Sequence, residues 1–172
     1  MPGCGVDQKA GDIQDSILEY NFVTTQAAAV RKQCFTTAGN FDESLPALID
    51  WELWIRISKR YAFEFINEQL VTAHVQEESI STDDSAIVMA REQIVQKHRH
   101  RFDEKALARQ LFWIGHGAIK IGATPKGQRY LGKAARIDPQ LRYLGALGLS
   151  LFGSRLYQSA YSQYKSTHAA SS

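Results

Sequence analysis

The chain has 172 residues, 44% hydrophobic and 22% charged, with a formal net charge of +2. Those are the proportions of an ordinary globular protein, long enough for one good core, so one domain or a domain with an appendage is expected. They exclude an electrostatic case for nucleic acid, because no helix shows a concentrated basic face with interleaved aromatics, and no apolar run approaches the ~20 residues that span a bilayer.

Residues 1–11 are glycine-rich and polar and read as a disordered N-terminus. They lack the apolar core of a secretory signal or lipoprotein leader. Cys4 and Cys34 are far apart and form no C-x-x-C pair, so neither a zinc site nor a disulfide framework is expected. Ile13, Ile17 and Leu18 fall at helical spacing and predict a short helix before Asn21. Residues 22–31, rich in Thr, Val and Ala, predict a strand entering the core. Cys34 and Phe35 followed by Gly39 predict a helical turn closed by glycine.

Asp50 stands where a helix N-cap belongs, with Glu52 in the first turn, and the helix should run to about Lys59. Trp51, Leu53, Trp54, Ile55 and Ile57 spread around that helix, which predicts burial on more than one side. Residues 63–66 and 71–75 alternate as strands, turned at residues 67–69. Beyond Ser81 the pattern changes to helices. Ile87, Ala90, Ile94 and Val95 mark one, and Leu107, Leu111, Trp113, Ile114 and Ile121 mark the next. Residues 111–139 resemble a single tetratricopeptide repeat, with Gly115, Ala118, Gly127, Leu131, Ala134 and Pro139 at its small, large and proline positions. One repeat cannot bury its own face and must pack on a neighbour. A basic cluster, residues 97–101, reads as a solvated helix end that complements the macrodipole.

The stretch 39–56, with Phe41-Asp42-Glu43-Ser44-Leu45-Pro46 leading into Asp50-Trp51-Glu52-Leu53-Trp54-Ile55-Arg56, resembles the second half of the GT-A domain of family 2 glycosyltransferases. Asn21-Phe22-Val23-Thr24 upstream and Tyr61-Ala62-Phe63, Leu70-Val71 and Ser79-Ile80-Ser81 downstream extend the resemblance. It implies an α/β fold: a partial GT-A half over residues 12–82, then a helical, tetratricopeptide-like tail over residues 83–172. It also implies inverting transfer of a sugar from a nucleotide-diphosphate donor to a glycan or lipid-linked acceptor, in polysaccharide biosynthesis, with Asp50 as catalytic base.

Trp51, Glu52 and Arg56 are the substrate-binding candidates that follow. Trp51 and Trp54 suit a sugar-stacking platform or an ordinary core, and Arg56 suits a pair with Glu52 one turn earlier. The family's divalent metal, Mn or Mg, is implied, but its Asp-x-Asp motif is absent, as is the donor-binding half. Ile49 replaces the acidic residue before the base, and Gln76 stands where the family has histidine, with His74 two residues earlier. The expected partners are a nucleotide sugar and a glycan acceptor if a donor half is supplied, and a second copy or another protein through the helical tail. The expected location is cytoplasmic, at most peripheral to the inner face of the membrane. The alternative is a non-catalytic truncated homologue or interaction protein acting through the helical tail.

Overall fold

The computed structural model describes residues 10–68, 70–72 and 83–169, without the side chains of residues 164–169. The chain divides into two units, Met1–Thr82 and Asp83–Ser172, each taken here by itself.

The first unit is built around helix α3 (Ile49–Ser58), with α1 (Gln14–Glu19) and α2 (Lys32–Ala38) packed on it. Seven of the ten α3 residues are buried, Trp51, Leu53 and Ile55 completely, so the helix has no solvent face of ordinary width. Its end agrees with the sequence expectation, but its start and cap do not. The N-cap is Leu48, held in the left-handed region at φ 55°, and Asp50 lies inside the first turn. There its carboxylate accepts from the Trp51 amide at 2.7 Å, favourable at the positive end of the helix dipole. Helix α2 closes on Gly39 at φ 82°, a backbone angle that favours glycine, and the Gly39 amide donates to the Phe35 carbonyl at 2.8 Å.

The α/β expectation is overturned, and with it the partial GT-A half: a GT-A domain needs a central sheet, and the described residues contain no strand. Residues 22–31 hold a 3-10 turn, Thr25–Ala27, flanked by extended residues that join no sheet. Residues 63–66 contribute one isolated antiparallel bridge, in which Gly11 and Phe63 exchange amide hydrogen bonds of 2.6 and 2.9 Å. Phe65 and Ile66 beyond it are exposed. The reason is physical. Alternating apolar residues mark a face that fits a pleated sheet, but a strand exists only when a neighbour takes its amides and carbonyls. Without that neighbour residues 25–28 bond locally, Ala27 to Thr24 at 3.1 Å and Ala28 to Thr25 at 3.3 Å. Most of the strand expected over residues 71–75, with His74 and Gln76, lies outside the described residues.

The second unit is helical, as its periodicity requires. Helix α4 (Asp84–Lys97) is followed by a 3-10 turn (Arg99–Arg101), then α5 (Glu104–Lys120), α6 (Thr124–Ile137), α7 (Leu141–Leu151) and α8 (Ser154–Ala169). Asp83 caps α4, its carboxylate accepting from the Ser85 and Ala86 amides at 2.9 and 3.1 Å, and Asp103 caps α5 through the Ala106 amide at 2.7 Å. Helices α4 and α6 both pack on α5. The α5–α6 crossing is closest at Gly115 and Gly127. A Cβ on Gly127 would stand 2.4 Å from Ile119 Cγ1 and 2.7 Å from the Gly115 carbonyl oxygen, so only glycine fits. Between α4 and α5, Arg91 Nη1 donates to the side-chain Oε1 of buried Gln110, and burial lowers its guanidinium to about 10, still charged at neutral pH. Among the described residues no helix is long and apolar enough to cross a membrane.

Candidate functional site

The four residues singled out from the sequence lie on α3 and point in different directions. Asp50 faces the segment before α2, where its Oδ1 accepts from Asn21 Nδ2 at 3.1 Å and its Oδ2 from Thr25 Oγ1 at 3.2 Å. Trp51 is fully buried, and its indole Nε1 donates to the Ile17 carbonyl at 2.6 Å. Trp54 is buried likewise and donates to the Val23 carbonyl at 2.8 Å. Glu52 is fully buried and meets Arg56 one turn later, through Nε at 2.8 Å and Nη2 at 2.8 Å, so the pair expected from the spacing is present. Arg56 then donates through Nη1 to the Ala38 carbonyl and through Nη2 to the Asn40 carbonyl at 2.6 Å. It therefore ties the end of α2 and the loop after it to α3. The structure brings Asp50 together with Asn21 and Thr25, and Glu52 with Arg56, and the two groups meet different segments. Among the described residues no three His, Cys, Asp or Glu side chains stand close enough to share a metal ion.

A second arrangement was not singled out in the sequence. Helices α4 and α6 rise on either side of α5 and leave an open groove of about 1070 Å³ between them. Leu107, Leu111 and Ile114 of α5 and Val95 of α4 line its floor as buried core, 1–8% exposed, while Met89 stands exposed at its edge. Its α6 wall is cationic. Lys126, Arg129, Lys133 and Arg136 follow one another at three, four and three residues, which places them along a single stripe of the helix. Arg99, from the turn after α4, adds a fifth cation to the lining.

The electrostatics of this wall are uneven. Lys126 is engaged, its Nζ 2.8 Å from Glu92 Oε2 on α4. Among the described residues no carboxylate pairs with Arg99, Arg129, Lys133 or Arg136, and all four are exposed. Tyr130 lies between the cations: Arg129 Cζ is 5.9 Å and Lys133 Nζ 5.3 Å from its ring centroid, within cation–π range. Burial pushes the Tyr130 phenol up, and its hydrogen bond to Glu92 and that carboxylate's charge push it further, while Arg129 pulls it down. The phenol therefore stays protonated and donates to Glu92.

Low net charge hid this row, since +2 summed over the chain conceals a local excess of cations on one face. The statement that no helix carries a concentrated basic face is corrected for α6, which also has an aromatic ring between its cations. The signal was the three-four-three spacing of Lys and Arg over residues 126–136, opposite Gly127, Leu131, Ala134 and Ala135 on the buried face.

No protein-family model, curated protein or solved structure matches the chain. With no sheet among the described residues and no family match, the assignment to family 2 glycosyltransferases and the GT-A label are withdrawn.

Proposed function

We propose that the protein is a non-catalytic interaction protein that acts through its helical unit, with the groove between α4 and α6 as the binding surface. The observation that carries this reading is a set of four exposed cations with no carboxylate partner among the described residues, beside the exposed Met89. A wall of like charges repels itself, and a ligand of opposite sign relieves that repulsion.

Sugar transfer makes other demands. Asp50 would have to hold an acceptor hydroxyl, yet both its oxygens already accept from Asn21, Thr25 and the Trp51 amide. Trp51 would have to present a ring face, and it is fully buried.

Site-specific photo-crosslinking tests the proposal. A photoreactive side chain at Met89, exposed at the groove edge, should give adducts with another polypeptide in extract of the producing organism. The same group at Lys105, outside the groove lining, should give few. The Met89 adducts should disappear when Arg129 and Lys133 are both changed to Glu. Equal yields from both positions, or adducts unaffected by the charge reversal, would overturn the reading.

A further inference from the structure

We infer that the occupant of the groove is an acidic helix, with carboxylates repeating at three and four residues along one face. The inference rests on the groove being a binding surface and adds the chemistry and conformation of the partner.

Lys126, Arg129, Lys133 and Arg136 repeat at helical spacing along the α6 wall of the groove. From Lys126 to Arg136 the cationic row covers about 15 Å of helix axis. A helix laid alongside matches that row with one charged face over about three of its own turns. An extended peptide brings same-side residues about 6.6 Å apart, a poorer match to steps of roughly 4.5 and 6 Å on α6.

Charge fixes the sign of the occupant. Four cations without a carboxylate partner among the described residues face the groove, against the single carboxylate Glu92. Glu92 also shows the recognition chemistry in place: a carboxylate held by the Lys126 ammonium at 2.8 Å and by the Tyr130 hydroxyl. Incoming carboxylates at the register of Arg129, Lys133 and Arg136 find the same kind of donors, and guanidinium groups suit carboxylates in particular. A nucleic acid backbone fits less well. Its phosphates would meet the Glu92 carboxylate, which Lys126 holds within the row.

The test uses the full chain and a fluorescent peptide of about 20 residues, long enough to hold a helix, with Glu at three-four-three spacing along one face. Fluorescence anisotropy should show saturable binding. It should weaken at least about tenfold in Arg129→Glu/Lys133→Glu, and also in the milder Arg129→Gln/Lys133→Gln should that variant alone keep its thermal transition, and it should fall with added salt. A peptide of the same composition with scrambled order should bind at least about tenfold more weakly than the patterned one. Equal binding of the scrambled peptide would overturn the helical register. Equal binding of a Glu→Gln peptide would overturn the acidic occupant and leave groove docking standing. Equal or tighter binding of a single-stranded oligonucleotide or of anionic phospholipid vesicles would overturn the inference in favour of that ligand. If no peptide binds while the Met89 crosslinks persist, this inference fails alone; if the crosslinks also fail, the interaction reading fails with it.

Discussion

In the first unit side chains complete the hydrogen bonding of irregular backbone, whereas in the second the backbone is largely satisfied within its own helices. Trp51, Trp54 and Arg56 of α3 donate to carbonyls of Ile17, Val23, Ala38 and Asn40, none of them on α3. One short helix thus holds the chain on both sides of α2. The second unit relies on caps at Asp83 and Asp103 and on close helix contact at Gly115 and Gly127. Where helices satisfy themselves, long polar side chains are released to the surface, and the cations of α6 are such side chains. Where side chains serve the backbone, as in α3, few remain to meet a ligand.

The contrast predicts a graded series. Glu52→Ala should be the most damaging, about 3–5 kcal/mol, because it removes one partner of a buried pair and leaves the Arg56 guanidinium without its carboxylate. Hydrogen exchange should then show lost protection in α1 to α3; protection there at the wild-type level would mean that Arg56 finds other support. Trp51→Phe should cost less, on the order of 1–3 kcal/mol, since it keeps most of the apolar contact and orphans the Ile17 carbonyl.

Gly127→Ala tests the other device. Overpacking against Ile119 and the Gly115 carbonyl should destabilise the helical unit by about 1–3 kcal/mol in urea unfolding. Gly132→Ala on the same helix meets nothing within 4 Å and should instead stabilise by up to about 1 kcal/mol. A loss at Gly132 equal to that at Gly127 would show that α6 tolerates no added bulk anywhere, and the close-contact account would fall.

The smallest effect should come from Tyr157→Phe, about 1 kcal/mol at neutral pH, for the hydrogen bond between its hydroxyl and His116 Nδ1 at 3.0 Å. Burial first, and then Tyr161, hold the Tyr157 phenol well above its ordinary value. The folded state keeps that proton to higher pH than the unfolded chain does. The stabilisation is therefore complete below about pH 10 and declines as pH rises from there toward the folded value. Unfolding curves at about pH 8 and about pH 11 should show the gap between wild type and Tyr157→Phe narrowing in alkali. A constant gap would place the Tyr157 phenol in contact with water.

What could be read from sequence follows the same division. The end of α3, the Glu52–Arg56 pair and the Gly39 closure of α2 depend on residues within a few positions of one another, and all were legible. The cap was not. Asp50 has the right chemistry, but Leu48 takes the left-handed turn two residues earlier, and that displaces the carboxylate into the helix. The strands at residues 22–31 and 63–66 failed because alternation says what a strand would bury and nothing about whether a neighbour exists to pair with it. In the helical unit the elements were legible from their apolar period and the groove was not. Its floor comes from α5, its charge from α6 and its edge from α4, and only the packing of α4 and α6 on α5 sets them side by side.

The crossing at Gly115 and Gly127 has a consequence for how such a surface changes over generations. The close approach of α5 and α6 needs two positions without a Cβ, where Ile119, Leu131 and the peptide groups already fill the space, so the α5–α6 side of the channel is inherited through two glycines. Lys126, Arg129, Lys133 and Arg136 sit on the opposite flank of α6 and touch none of that contact. Shape and selectivity are thus separate heritable characters on one helix: substitutions on the outer flank can retune which charge pattern is attracted, while the channel that receives it keeps its dimensions.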